Sequence, residues 1–198
     1  DTRQQVARWA VSAMDRGVVG FGLGGIEKGY PADLFTDAYD VAMEAGLHSV
    51  PHAGEHVGPE SEWSAIRALR AERIGHGVRS VEDPALVEYL RERQIPLELC
   101  PTSNLCLGAY SSYEEHPIRR LWEQGVYVTL NSDDPPMFNT DLVKEYVAMA
   151  GHAGFTPSEL EQLSLNALRA SFLPAERKAE LERAFCAEFA RLRTQYLA

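Results

Sequence analysis

The sequence has little cysteine, a shortage of basic charge and no long apolar run, and each shortage removes a class of protein. Three cysteines in 198 residues, Cys100, Cys106 and Cys186, make neither an even disulfide set nor a Cys-x-x-Cys metal motif. That usage fits a reducing, cytoplasmic setting. Lysine and arginine number 19 against 29 acidic residues, a formal charge of -10, so no basic footprint exists to hold a nucleic-acid backbone. No uncharged apolar run approaches the ~18–20 residues of a membrane span, and the opening DTRQQVARWAVSAMDRG lacks the apolar stretch of a secretory signal. A nucleic-acid polymer and a membrane both drop out as partners. Internal repeats, Gly/Ser-rich linkers and charge blocks are absent as well, and the length matches one domain over residues 1–198 on the usual ~100–200 residues per domain.

With 45% of residues apolar and 24% charged, the composition is that of an ordinary globular chain. Short β-type runs alternate with amphipathic helical stretches, as in βα units around a parallel sheet. Five strands are predicted, at Val18 to Leu23, Leu47 to His52, Arg73 to His76, Pro96 to Cys100 and Val126 to Asn131. Between them, Leu34, Phe35, Ala38, Val41, Ala42 and Ala45 recur at helical spacing, and similar stripes follow around Leu86, Leu121 and Val143. Val6 to Met14 reads as a helix running into the first strand. Past the fifth strand the pattern is helical, with Pro157 and Ser158 opening one helix and Leu181, Phe185, Phe189 and Leu192 striping the last. Five strands fall short of the eight that close a (β/α)8 barrel, which typically takes ~250 residues. An open, doubly wound sheet remains an alternative at this point.

In parallel α/β folds, functional groups gather at the carboxyl ends of strands. Each predicted strand ends in such groups: Gly24, Gly25 and Glu27; His52 and Glu55; His76; Cys100-Pro101-Thr102-Ser103-Asn104; and Asn131-Ser132-Asp133-Asp134. One polar residue in a loop is unremarkable, but five sets in succession point to a shared site. Gly75 and Gly77 leave the ring of His76 open to close approach. Adjacent Asp133 and Asp134 repel unless a cation or a substrate donor compensates, although an Asp before Pro135 also suits a helix cap. Two histidines and an aspartate pair fit a metal such as zinc, bound through nitrogen and oxygen.

The ordered set HAGE at 52–55, RIGHG at 73–77, CPTSN at 100–104 and LNSDDP at 130–135 resembles the adenosine deaminase family of zinc-dependent purine deaminases. The resemblance extends to Leu165-Asn166-Ala167 and Ser171-Phe172-Leu173. It implies the C-terminal portion of a TIM (β/α)8 barrel, an α/β fold, from its fourth strand to its eighth with trailing helices. It implies His52 and Asp133 as zinc ligands, Glu55 as proton donor to purine N1, and His76 as the residue that orients and helps deprotonate the attacking water. Asp134 would hydrogen-bond N7, and the Gly25 backbone would meet N3. Glu98 and Ser103 are weaker supporting candidates, placed beside the ligands. The His-x-Glu and Pro-Cys-x-x-Cys signature of other zinc nucleobase deaminases is absent.

Two departures qualify the resemblance. The family draws two further zinc ligands from a His-x-His pair on its first strand, and no histidine precedes His48. The expectation is therefore that the first barrel strands, with that pair, lie upstream of this chain. The run Gly22-Leu23-Gly24-Gly25-Ile26-Glu27 replaces the family's acidic residue and Leu-Ala-Gly-Asp-Glu pattern in a loop that borders purine and sugar. The expected reaction is hydrolytic deamination of adenosine, a purine nucleoside, or a related 6-aminopurine. Adenine and aminodeoxyfutalosine are alternative substrates, and a barrel remnant without zinc is the alternative from another class. A cyclic-amide hydrolase would need a carboxylated lysine or a two-metal set, and no lysine stands at a strand end in register.

Overall fold

A computed structural model of the chain describes residues 2–197. The first helix, α1 (Thr2–Val11), leads through a short 3-10 turn into β1 (Gly20–Leu23). Then follow α2 (Thr36–Glu44), β2 (His48–Ala53), α3 (Pro59–Ala68), β3 (Ile74–His76), α4 (Pro84–Arg93), β4 (Leu97–Leu99), the short α5 (Pro101–Cys106) and α6 (Ile118–Glu123). After β5 (Val128–Leu130) come α7 (Pro135–Phe138), α8 (Leu142–His152), α9 (Pro157–Ala170) and α10 (Ala175–Tyr196). Pro59 and Pro84 open α3 and α4 at first-turn positions, where the missing N–H is no loss. Asp83 caps α4 by accepting from Ala85 N–H, and Thr156 and Glu159 close a reciprocal capping box on α9.

All five strands are parallel, in the order β1-β2-β3-β4-β5. A doubly wound sheet reverses its strand order at a switch point; this sheet never reverses. The sequential order is that of consecutive barrel units, and it excludes the doubly wound alternative. Four strands are shorter than periodicity predicts, and β2 keeps its predicted length one residue further along. Val126 N–H turns back to Leu121 carbonyl at 3.1 Å to close α6, and Cys100, at φ -124° and ψ 75°, already enters α5. Pro96 nevertheless keeps its pairing, since its carbonyl accepts from Ile74 N–H at 2.9 Å.

Ile74, Leu97, Leu99 and Val128, all with no exposed surface, join Leu69, Leu86, Leu90 and Leu121 from the helices in the main core. A second cluster of Ala7, Ala38, Ala42 and Leu47 seats α1 and α2. The stripe on α10 is only partly covered: none of its residues is buried, and ion pairs Arg193–Glu161, at 3.1 Å, and Arg169–Glu182 tie it to α9. Among the described residues, no helix is long and apolar enough to cross a membrane.

Candidate active site

The carboxyl ends of β2, β3 and β5 bring His52, Glu55, His76 and Asp133 to one place. Glu55 Oε1 lies 3.7 Å from His76 Nε2, and Asp133 Oδ2 lies 4.0 Å from the same nitrogen. The His52 ring stands nearly perpendicular to the His76 ring, with centroids 5.0 Å apart. His52, His76 and Asp133 line a cleft of about 610 Å³, and His52 and Glu55 line an adjoining one of about 320 Å³ with Gly24, Gly25 and Glu27. Both volumes are in the range of small-molecule sites.

Backbone geometry holds the two central residues. His76 has φ +64° and Asp133 φ +56°, left-handed conformations that non-glycine residues adopt at a penalty of roughly 1–3 kcal/mol each and that gather at functional sites. Gly75 and Gly77 have separate purposes. A Cβ on Gly75 would collide with the His52 ring, and one on Gly77, at φ +70°, would meet a Leu97 methyl at 2.7 Å. Gly75 thus makes room for the neighbouring histidine, and Gly77 for the core.

Burial dominates the electrostatics. It pushes the Glu55 carboxyl above its ordinary range, with Asp133 adding to the effect against the opposing pull of His56 and His52. It lowers His76 to about 4, with His52 adding to the effect. Glu55 Oε1 is buried without a hydrogen-bond partner among the described residues, so it is free to give or take a proton at the cleft. Glu27 behaves oppositely. Burial raises its pKa, but the Ser61 hydroxyl and the backbone N–H groups of Val57, His56 and Gly54, at 2.9, 2.8 and 2.6 Å, outweigh burial and keep it below the usual carboxylate range. Glu27 is a staple between the β1 loop and the HAGE turn.

The remaining sequence candidates occupy varied positions. Ser103 donates to Asp133 Oδ2 at 2.6 Å and fixes that carboxylate. Glu98 lines the larger cleft but is paired with Arg73 at 2.8 Å, whose guanidinium lies over Phe172. Gly25, at φ +114°, lines the smaller cleft. Asp134 is exposed at the start of α7, and its side chain makes no capping hydrogen bond.

Sequence reasoning passed over Cys100 as a donor and did not single out His116. His76, Cys100 and Asp133 place one ligand atom each within 4.8 Å of one another. Burial pushes the Cys100 thiol pKa well up, and its Sγ donates to Glu98 carbonyl at 3.4 Å, so Cys100 is the weakest metal donor of the three. Nitrogen and oxygen atoms converging beside a buried, unpartnered carboxyl oxygen fit a zinc ion. His116, buried 40 residues beyond His76, reaches it through Asn104; only the position of Asn104 at a strand end hinted at that link.

A family model for adenosine deaminase matches residues 1–186. The chain is 49% identical over 183 residues to the aminodeoxyfutalosine deaminase of Streptomyces coelicolor, covering 91% of this chain and 47% of that protein. It is 44% identical over 172 residues to the adenosine deaminase of Klebsiella pneumoniae, covering 87% and 52%. An amidohydrolase from Burkhoderia ambifaria, solved with bound Zn, superposes with a TM-score of 0.91 at 27% identity, covering 98% of this chain and 54% of that one. The chain spans about half the length of the curated relatives it matches. Strand order, the four motifs in sequence and these likenesses agree, and the chain belongs to the adenosine deaminase family.

Proposed function

We propose that the protein carrying this chain hydrolyses the 6-amino group of a purine, converting adenosine or a close relative and water to the 6-oxo product and ammonia, with one zinc ion at the site. The observation that carries the proposal is the convergence of Glu55 Oε1 and Asp133 Oδ2 on His76 Nε2, within 4.0 Å, at the mouth of two adjoining clefts.

In this reading His52 and Asp133 hold the zinc. Catalytic zinc ordinarily has at least three protein ligands, so the reading includes further histidine ligands from outside these residues. When bound, zinc supplies Lewis-acid activation of water. The chain's own groups do the rest. Glu55, whose hold on a proton is strengthened by burial, donates to N1 and makes C6 electrophilic. His76 and Asp133 orient the attacking water, and Ser103 steadies Asp133. Gly25 and Asp134 bind the purine at N3 and N7, the glycine through its backbone; Asp134, exposed in the free chain, turns to the ligand on binding.

The deciding experiment is an assay of ammonia release and ultraviolet change with adenosine, adenine and aminodeoxyfutalosine. Turnover of any one supports the reading, and a protein that binds no zinc and turns over none would be the non-catalytic remnant. A second reading, preference for aminodeoxyfutalosine, is favoured by the identities of 49% and 51% to two Streptomyces proteins of that name and by the altered Gly22–Glu27 loop beside the smaller cleft.

A further inference from the structure

The imidazole of His76 is held from behind by a chain of hydrogen bonds that starts on a main-chain donor. Ile118 N–H lies 3.3 Å from Nδ1 of His116. His116 Nε2 lies 3.1 Å from Oδ1 of Asn104, and Asn104 Nδ2 lies 3.4 Å from Nδ1 of His76. All three side chains are buried, at 3%, 0% and 2% exposure for His116, Asn104 and His76.

A backbone N–H only donates. His116 Nδ1 must therefore accept and carry no proton, and a neutral imidazole with a bare Nδ1 carries its proton on Nε2. That Nε2–H needs an acceptor, which turns the Asn104 carbonyl toward His116 and its amide NH₂ toward His76. His76 Nδ1 then accepts, and its proton sits on Nε2, the nitrogen that faces Glu55 and Asp133. The polarity is fixed throughout because its first member cannot be reversed. Surrounding contacts hold the frame: the main-chain carbonyl of Asn104 accepts from Ala109 N–H at 2.8 Å, which fixes its backbone, and the His116 ring packs edge-on against Tyr110, whose hydroxyl donates to Val78 carbonyl at 3.1 Å.

We propose that His116 and Asn104 are positioning residues that fix His76 in its neutral Nε2–H tautomer, so that His76 meets the attacking oxygen as a hydrogen-bond donor. A role for Nε2 as proton acceptor would require the relay to run backwards, which Ile118 N–H forbids. The donor role rests on the deaminase reading; the tautomer does not.

The test is a long-range ¹H–¹⁵N correlation spectrum of the histidine rings in the labelled, metal-free chain at neutral pH. The expected result is an unprotonated Nδ1 and a protonated Nε2 for both His76 and His116. In Asn104→Asp the new carboxylate accepts from both rings and cannot donate, so the Nδ1 resonance of His76 should move to the protonated range while His116 keeps its pattern. A protonated Nδ1 on His76 in the unmodified chain, tautomer averaging there, or an Nδ1 left bare in Asn104→Asp would overturn the relay. If the variant does not fold, the unmodified spectrum still decides, because it reads both tautomers directly. Failure of the deaminase reading would show in the substrate assay, and failure of the relay in the ring resonances.

Discussion

Glu55 and His76, 3.7 Å apart, have their proton affinities pushed in opposite directions by the same burial, which favours the neutral form of each. A neutral carboxyl can donate, which an amide of the same shape cannot do. Glu55→Gln in the active protein should therefore lower kcat by about 10²–10⁴-fold, the usual worth of a positioned general acid, while zinc content stays unchanged. Near-normal turnover in that variant would remove Glu55 from its role. Glu62 offers a second test. Its carboxyl is buried, and burial, with Glu27, Glu82 and Asp83 adding against the opposing Ser80 N–H, holds its pKa well above the ordinary value of 4.5. The folded chain thus binds a proton that the unfolded chain gives up above ~4.5. This contribution is fully present below that pH and is lost as pH rises through the folded value. Glu62→Gln should gain on the parent as pH rises through that window, by on the order of 1 kcal/mol per pH unit. Denaturant midpoints across the range measure it as a difference in slope, so a constant offset from burying the amide does not matter; parallel slopes would show that Glu62 is ionised in the fold.

At the scale of elements, β2 and β3 are the pair on which the site depends, with His52 registered opposite Gly75. Their two glycines separate function from stability. Gly75→Ala drives a methyl into the His52 ring, so zinc affinity should fall by at least about tenfold, as it does when a ligand loses its orientation. Gly77→Ala instead strains a left-handed backbone and crowds Leu97, and overpacking of this kind costs typically about 1–3 kcal/mol of stability. Zinc titration and thermal melts on both variants should show this division, and equal effects on both measurements would refute it. The βα alternation was legible because apolar period and turn residues coincide at each strand, and His52, His76 and Asp133 were legible as strand-end groups. Strand ends were not: Val126 leaves the strand because its own amide closes α6 on the Leu121 carbonyl, and Cys100 leaves it because its carbonyl opens α5 by accepting from Asn104 N–H. His116 was illegible for another reason. It lies in a loop with no period, and its connection to His76 exists only through the folded position of Asn104.

At the scale of the molecule, the sheet does not close on itself. Among the described residues β1 pairs only with β2, and β5 only with β4; β5 is buried, with its Val128 carbonyl accepting from Asn166 Nδ2 at 3.0 Å, so the half-buried β1 is the edge whose N–H and C=O groups are able to template another chain. Apolar side chains add to this exposure on α8, where Val143 and Val147 are 73% and 66% exposed one helical turn apart, next to Leu142 at 49%. A formal charge of -10 works against association through mutual repulsion, and that repulsion, unlike apolar burial, is screened by salt over a few ångströms at high ionic strength. The two forces therefore separate by ionic strength. Residues 1–198 studied alone should self-associate with rising concentration, and more strongly at about 0.5 M salt than at about 0.05 M, where the Debye length is several-fold longer. Sedimentation velocity across both salt levels measures the outcome. Association that weakened with salt would assign it to charge pairing between chains, and a monomer at both levels would mean that the β1 edge and the α8 face are too weakly adhesive to join two chains.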